Sequence, residues 1–162
     1  MDDYGSPALR QLLDTERAAV LETHAQHGDA TALVERSRIR EVLTLLRDDP
    51  ALEFDMLTDL TAVDYLPRDP RFEVVYHLVS TTRHHRVRIK APVPEVEASL
   101  PSAVGIYPSA NWMEREVWDL YGIRFEGHPD LRRILLYDQF EGHPLRKDYP
   151  KERRQPLVGP GN

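Results

Sequence analysis

Phe72-Glu73-Val74-Val75-Tyr76-His77-Leu78-Val79-Ser80 places Phe72, Val74, Tyr76 and Leu78 on one side of the chain and Glu73, Val75, His77 and Val79 on the other. A repeat of two is that of a β-strand, whose successive side chains leave on opposite faces. Arg86-Val87-Arg88-Ile89-Lys90 repeats the pattern strictly, bases against apolar groups. Upstream, Phe54–Tyr65 shows mixed alternation and reads as a third strand, with Pro67-Arg68-Asp69-Pro70 as the intervening turn. The short spacing of the three runs predicts an antiparallel meander.

Working outward, the period changes. Residues 7–27 read as a helix capped by Ser6, with Pro7 in its first turn, Leu9, Leu12, Leu13, Glu16, Val20 and Leu21 as an imperfect stripe, and Gly28 as its stop. Thr31–Glu35 is a short β-type run. Ser37 caps a second helix carrying Ile39, Val42, Leu43, Leu45 and Leu46, which Pro50 ends. A short helix at 94–100 and a short strand at Ala103–Tyr107 follow, and Ser109 caps a helix to Tyr121 that Gly122 stops. The pattern predicts an α+β fold: a two-layer domain with a mixed, largely antiparallel sheet covered by helices, plus an extended C-terminal arm. The domain spans residues 1–122, and 123–162 form an irregular, Pro-rich extension.

Composition narrows the function. The 162 residues hold 21 Lys and Arg, 18 of them Arg, against 27 Asp and Glu, for a net charge of −6, and no cysteine. Disulfides, thiolate nucleophiles and Cys-ligated clusters or zinc sites are therefore excluded for this sequence. The acidic balance argues against a general nucleic-acid binder, including an RNA module built on Arg86, Arg88 and Lys90. No run approaches the roughly 18 apolar residues that span a bilayer. Met1–Gly5 lacks the hydrophobic stretch of a signal peptide, so a soluble, cytoplasmic chain is expected. Residues 143–155 hold five bases (Arg146, Lys147, Lys151, Arg153, Arg154) and two acids, a local +3 that leaves −9 for the rest. With Pro144, Pro150, Pro156 and Pro160, and little beyond Leu145, Tyr149, Leu157 and Val158 to bury, this arm cannot build a core. Either it is disordered or it lies on a partner, and its interleaved charges and aromatics favour the partner.

Spacing gives little support to a catalytic or metal site. The glycines form no phosphate-cradling loop. His84-His85 are adjacent and would diverge; His24 and His27 share a helical face but lack a third ligand. Phe125-Glu126-Gly127-His128-Pro129 recurs as Phe140-Glu141-Gly142-His143-Pro144. That repeat reads more simply as two Gly-His-Pro turns with Phe anchors than as a metal or acid–base site. In the helix to Tyr121, Met113, Val117, Leu120 and Tyr121 form the core face. The acids Glu114, Glu116 and Asp119 read as a solvated or salt-bridged face, and Trp118 sits off the core and needs another surface to cover it.

Glu114-Arg115-Glu116-x-x-Asp119-Leu120-Tyr121, then His128, Arg132 and Ile134-Leu135 at fixed spacing, resembles the signature of the 30 kDa (C) subunit family of respiratory NADH:quinone oxidoreductase, complex I. Gly142-His143-Pro144-Leu145-Arg146-Lys147-Asp148-Tyr149-Pro150 is similar to that family's second block, and Leu57–Tyr65 to its entering strand. The likeness spans roughly residues 30–150. It implies a non-catalytic peripheral-arm subunit on the cytoplasmic face of the bacterial membrane. Such a subunit contacts the cluster-bearing D and B subunits near the quinone site, with the two-cluster ferredoxin-like (I) subunit as a further neighbour. It implies no cofactor on this chain, while the complex as a whole uses NADH, FMN, iron–sulfur clusters and quinone. On this resemblance Glu114, Arg115, Glu116, Trp118, Asp119, His128, Arg132, His143, Pro144, Arg146, Lys147, Asp148 and Tyr149 are signature and interface residues. Related subunits serve complexes with other electron donors, so the donor stays open. The alternative from another class is a small stand-alone hydrolase or lyase using Glu114, Glu116, His128 and His143.

Overall fold

The three alternating runs pair as their spacing requires. In the computed structural model, which describes residues 1–156, β3 (Met56–Asp64), β4 (Phe72–Ser80) and β5 (His85–Val93) form an antiparallel meander. Tyr76 lies opposite Ile89 and Phe72 opposite Val93. One face therefore carries Phe72, Val74, Tyr76, Leu78, Val87, Ile89, Ala91 and Val93, all buried in one apolar cluster. Burial of each larger side chain in that cluster contributes roughly 1.5–3 kcal/mol. The sheet is completed by β2 (Thr31–Val34), parallel to β5, and β1 (Val20–His24), antiparallel to β2, giving the order β1-β2-β5-β4-β3. This is the mixed, largely antiparallel sheet expected, and three helices supply the second layer.

Helix α1 (Pro7–Thr15) buries Ala8, Leu9 and Leu12, and Ser6 caps it by accepting from the Leu9 amide. Helix α2 (Ile39–Asp48) buries Ile39, Val42, Leu43 and Leu46. Helix α3 (Ala110–Tyr121) lies against β3 and ends at Gly122, which holds the left-handed φ of 77°. Two further strands, β6 (Ser99–Pro101) and β7 (Arg124–Glu126), pair in parallel and bury Leu100 and Phe125.

Several expectations are corrected. Residues 7–27 are not one helix: α1 stops at Thr15, and residues 20–24 are strand β1. Pairing with β2 outweighs the helical stripe there, burying Val20 and leaving Leu21 exposed. His24 and His27 therefore share no helical face. Ser37 sits inside a tight turn at Arg36–Arg38 and does not cap α2. The Arg36 guanidinium, donating to the carbonyls of Glu97 and Ser99 at 2.8 and 2.9 Å, draws that turn toward β6. No helix forms at 94–100, where Glu97 takes a positive φ of 59° and 99–101 join β7. Residues 103–107 make a turn in which the Ala103 carbonyl accepts from Ile106 and Tyr107. Ser109 does not cap α3; its hydroxyl donates to Leu57 O at 3.3 Å. The boundary at 122 falls between the paired strands β6 and β7, and Phe125 beyond it belongs to the core. Leu157, Val158 and Pro160 of the arm lie outside the described residues.

Candidate functional site

Helix α3 carries five of the thirteen residues singled out by sequence, and of its three acids only Glu116 is solvated. Glu114 is fully buried, accepting from the Ser102 hydroxyl and the Ala103 amide, both at 2.6 Å. Burial pushes its pKa up to about 7, against the opposing pull of those two donors. Asp119 is equally buried. One of its oxygens accepts from three consecutive amides, Ile134 at 3.1 Å and Leu135 and Leu136 at 2.9 Å, and the other accepts from Arg133 at 2.6 Å. Burial alone would raise its pKa, but the amide and guanidinium donors prevail and hold it below the ordinary carboxylate value. Arg115 adds bonds to the carbonyls of Arg132 and Arg133 at 3.1 and 2.8 Å. The loop after β7 is thus fastened to α3 through its backbone. Periodicity missed this because the partners are loop amides and a loop hydroxyl, which leave no trace in hydrophobic spacing.

The repeat resolves into two turns, each with its glycine at positive φ (Gly127 82°, Gly142 91°) and its histidine on a carbonyl of α3. His128 Nε2 lies 3.0 Å from Asn111 O, while its Nδ1 accepts from the Asp130 amide. His143 Nδ1 lies 2.9 Å from Asp119 O, at the other end of the helix. Burial lowers the His143 pKa. The two imidazoles are held apart along α3, and among the described residues no group of three or more His, Asp or Glu is placed to hold a metal. Of the adjacent pair, His85 stacks on Phe54 at 4.5 Å with its Nε2 2.8 Å from Leu52 O, while His84 is exposed.

Trp118 does find a second surface, and it is the chain's own arm. The His143 ring stands edge-on at 6.5 Å, and the Arg133 guanidinium lies 5.8 Å from the indole. Arg133 also sits 5.7 Å from the Phe140 ring, on which Tyr149 stacks at 6.1 Å. The Gly142–Tyr149 block docks on the body throughout. The Leu145 amide donates to Leu120 O at 3.1 Å and the Arg146 guanidinium to Tyr121 O. The Lys147 amide donates to Asp64 at 2.8 Å. Asp148 meets Arg71, which is buried and also grips Asp64 bidentately and Glu95 at 2.7 Å. Those hydrogen bonds raise the Arg71 pKa and hold Asp64 far below its ordinary value despite its burial. A Cβ on Gly122 would lie 2.6 Å from the His143 ring, so that glycine serves both the helix end and the arm's approach. Pro144 is half-buried, Lys147 is exposed, and Arg132 pairs at the surface with Asp130 at 2.7 Å.

The exposed tryptophan is Trp112, which the sequence reading passed over. With Pro108, Met113, Glu116, Ile134 and Leu135 it lines an open groove of about 860 Å³. Its i, i+4 relation to the charged Glu116, away from Val117, was the signal that could have found it.

These features have relatives. The sequence matches the family described as respiratory-chain NADH dehydrogenase, 30 kDa subunit, over residues 32–155. It is 50% identical over 154 residues to the C subunit of the NADH-quinone oxidoreductase of Citrifermentans bemidjiense, covering 94% of each chain. It is 51% identical over 132 residues to that of Roseiflexus sp. strain RS-1, covering 82% of this chain and 76% of the other. A solved structure, the trypsin-resistant fragment (1-134) of Nqo5, superposes with a TM-score of 0.67 at 36% identity, covering 76% of this chain and 99% of that one. The block from Glu114 to Leu135 and the docked Gly142–Tyr149 segment lie within the matched residues, and the chain belongs to the respiratory-chain NADH dehydrogenase 30 kDa subunit family.

Proposed function

We propose that this chain is a non-catalytic peripheral-arm subunit of a proton-pumping NADH:quinone oxidoreductase. In this reading it supports the cluster-bearing D and B subunits near the quinone site, with the ferredoxin-like (I) subunit as a further neighbour. The family match over residues 32–155 carries the reading. The geometry supports a scaffold over a stand-alone hydrolase or lyase. Glu114 and Asp119 are buried and committed to loop donors, and His128 and His143 sit on carbonyls at opposite ends of α3. Without a cysteine, the chain lacks the usual ligands of an iron–sulfur cluster, and the reading assigns the clusters, with NADH, FMN and quinone, to its neighbours. No helix among the described residues is long and apolar enough to cross a membrane, and attachment at the cytoplasmic face is assigned to the complex.

A tagged chain expressed in respiring cells should bring down the cluster-bearing subunits from solubilised membranes. Recovery as a lone, stable monomer from cells that respire normally without it would sink the reading.

A further inference from the structure

We propose that the groove between the first turns of α3 and the 134–136 loop receives an α-helix of a neighbouring subunit. That helix would present apolar side chains on one face and a lysine or arginine placed to meet Glu116. The inference deepens the scaffold reading and rests on it.

The groove is a held shape. Trp112 and Leu135 stand 71% and 61% exposed, among the most exposed large apolar side chains of the chain. Leu135 is not loose: its own amide and those of Ile134 and Leu136 are fixed on buried Asp119, and Arg115 fastens the carbonyls just before them. A buried carboxylate and two guanidiniums thus maintain two apolar side chains at the surface beside an exposed tryptophan. Rigid aromatic and aliphatic anchors of this kind are what protein interfaces are built around.

The backbone chooses the class of occupant. All three amides of the loop point inward to Asp119, and the Ala110 and Asn111 amides that open α3 donate to Tyr107 O and Pro108 O, so the loop edge offers no row of free amides to an incoming strand. A segment lying on apolar side chains without backbone partners must satisfy its own amides and carbonyls, which a helix does. Charge narrows the choice further. Glu116 is the charged residue on the lining, and among the described residues it has no ion pair. A second copy docking through the same face about a two-fold axis would bring Glu116 toward another Glu116. A helix carrying a base meets it favourably.

The test uses the full chain inside its complex. A benzophenone amino acid placed at Trp112, with Val96 as an exposed control position, should crosslink on illumination to a helical segment of another subunit bearing a Lys or Arg. A crosslink to a second copy, to residues 157–162 of the same chain, or to no protein at all overturns the proposal. In parallel, Leu135→Asp and Glu116→Lys should reduce co-purification of the neighbouring subunits about tenfold, the scale of losing one interface anchor, with unchanged thermal melts of the isolated chain. If the wild-type chain brings down no neighbour, the scaffold reading itself falls. If it does and Leu135→Asp co-purifies as well as wild type, the groove assignment alone is overturned.

Discussion

Glu114 and Asp119 lie five residues apart on one helix, are both fully buried, and titrate in opposite directions. Burial raises the Glu114 pKa to about 7 because its two neutral donors offset it only in part; Asp119, as deeply buried, faces three amides and a guanidinium, and its pKa falls. A carboxyl whose folded pKa exceeds its unfolded one favours the fold while protonated, so its contribution is complete below the unfolded pKa and lost as pH rises through about 7. The shift corresponds to about 3–4 kcal/mol at most. Thermal melts should therefore show wild type losing stability between about pH 5 and pH 8, with Glu114→Gln flatter over that range. A wild-type slope no steeper than the variant's would contradict this. Asp119 runs the other way: its contribution is present above the unfolded pKa and is lost as acid protonates it. Asp119→Ala leaves Arg133 and three amides without their acceptor, and should cost about 3–5 kcal/mol in denaturant unfolding at neutral pH. Neither role was legible from the sequence. Spacing reported acids on a helix but could not report which loop would fold over them.

At the scale of elements, the meander was plain because each strand carries its own period, and β4 matches the sequence reading to the residue. The misreadings have a common cause. Val20–His24, Ser99–Pro101 and Arg124–Glu126 are strands of five, three and three residues. They are too short for a period to declare itself: the first is made by its hairpin partner β2, and the other two by each other from opposite sides of α3. The arm belongs to the same class. Its prolines and charges signalled that it has no core of its own, but not that Arg71, Trp118 and the end of α3 would receive it. Gly122→Ala tests that joint. The left-handed φ costs a residue with a side chain about 1–2 kcal/mol, and the new Cβ would press on His143. Hydrogen exchange should accelerate across residues 142–149 in this variant while β4 stays protected. Asp148→Asn should do the same more mildly, because Asp148 is half exposed.

Over the whole molecule, the charge split between body and arm needs refinement. Of the five bases between 143 and 155, Arg146 donates to Tyr121 O and Arg153 pairs with Glu141, while Lys147, Lys151 and Arg154 are exposed and without ion pairs among the described residues. The body's apolar cluster takes in Ile123, Phe125 and Leu131 of the extension and nothing from residue 132 onward. A chain truncated after Phe140 should therefore remain folded but bare Trp118 and leave Arg71 without Asp148. Its melting temperature should drop by about 5 °C, given about 2–4 °C per kcal/mol at this size, and it should no longer co-purify with the complex. Outright unfolding would mean that the strap belongs to the core; undiminished assembly would mean that the arm's exposed bases contact nothing.

The paired Phe-Glu-Gly-His-Pro turns carry a consequence for how this chain can change length. Their histidines reach carbonyls eight positions apart on α3, a span of about 12 Å at about 1.5 Å per residue. The helix acts as a caliper whose jaws are the two turns. A residue added to α3 between Asn111 and Asp119 would rotate one carbonyl about 100° away from its imidazole, whereas a residue added between the turns but outside the fastened 132–136 stretch is absorbed by loop. Insertions in this region are thus tolerable in the segment with no regular structure and forbidden in the helix that looks most robust.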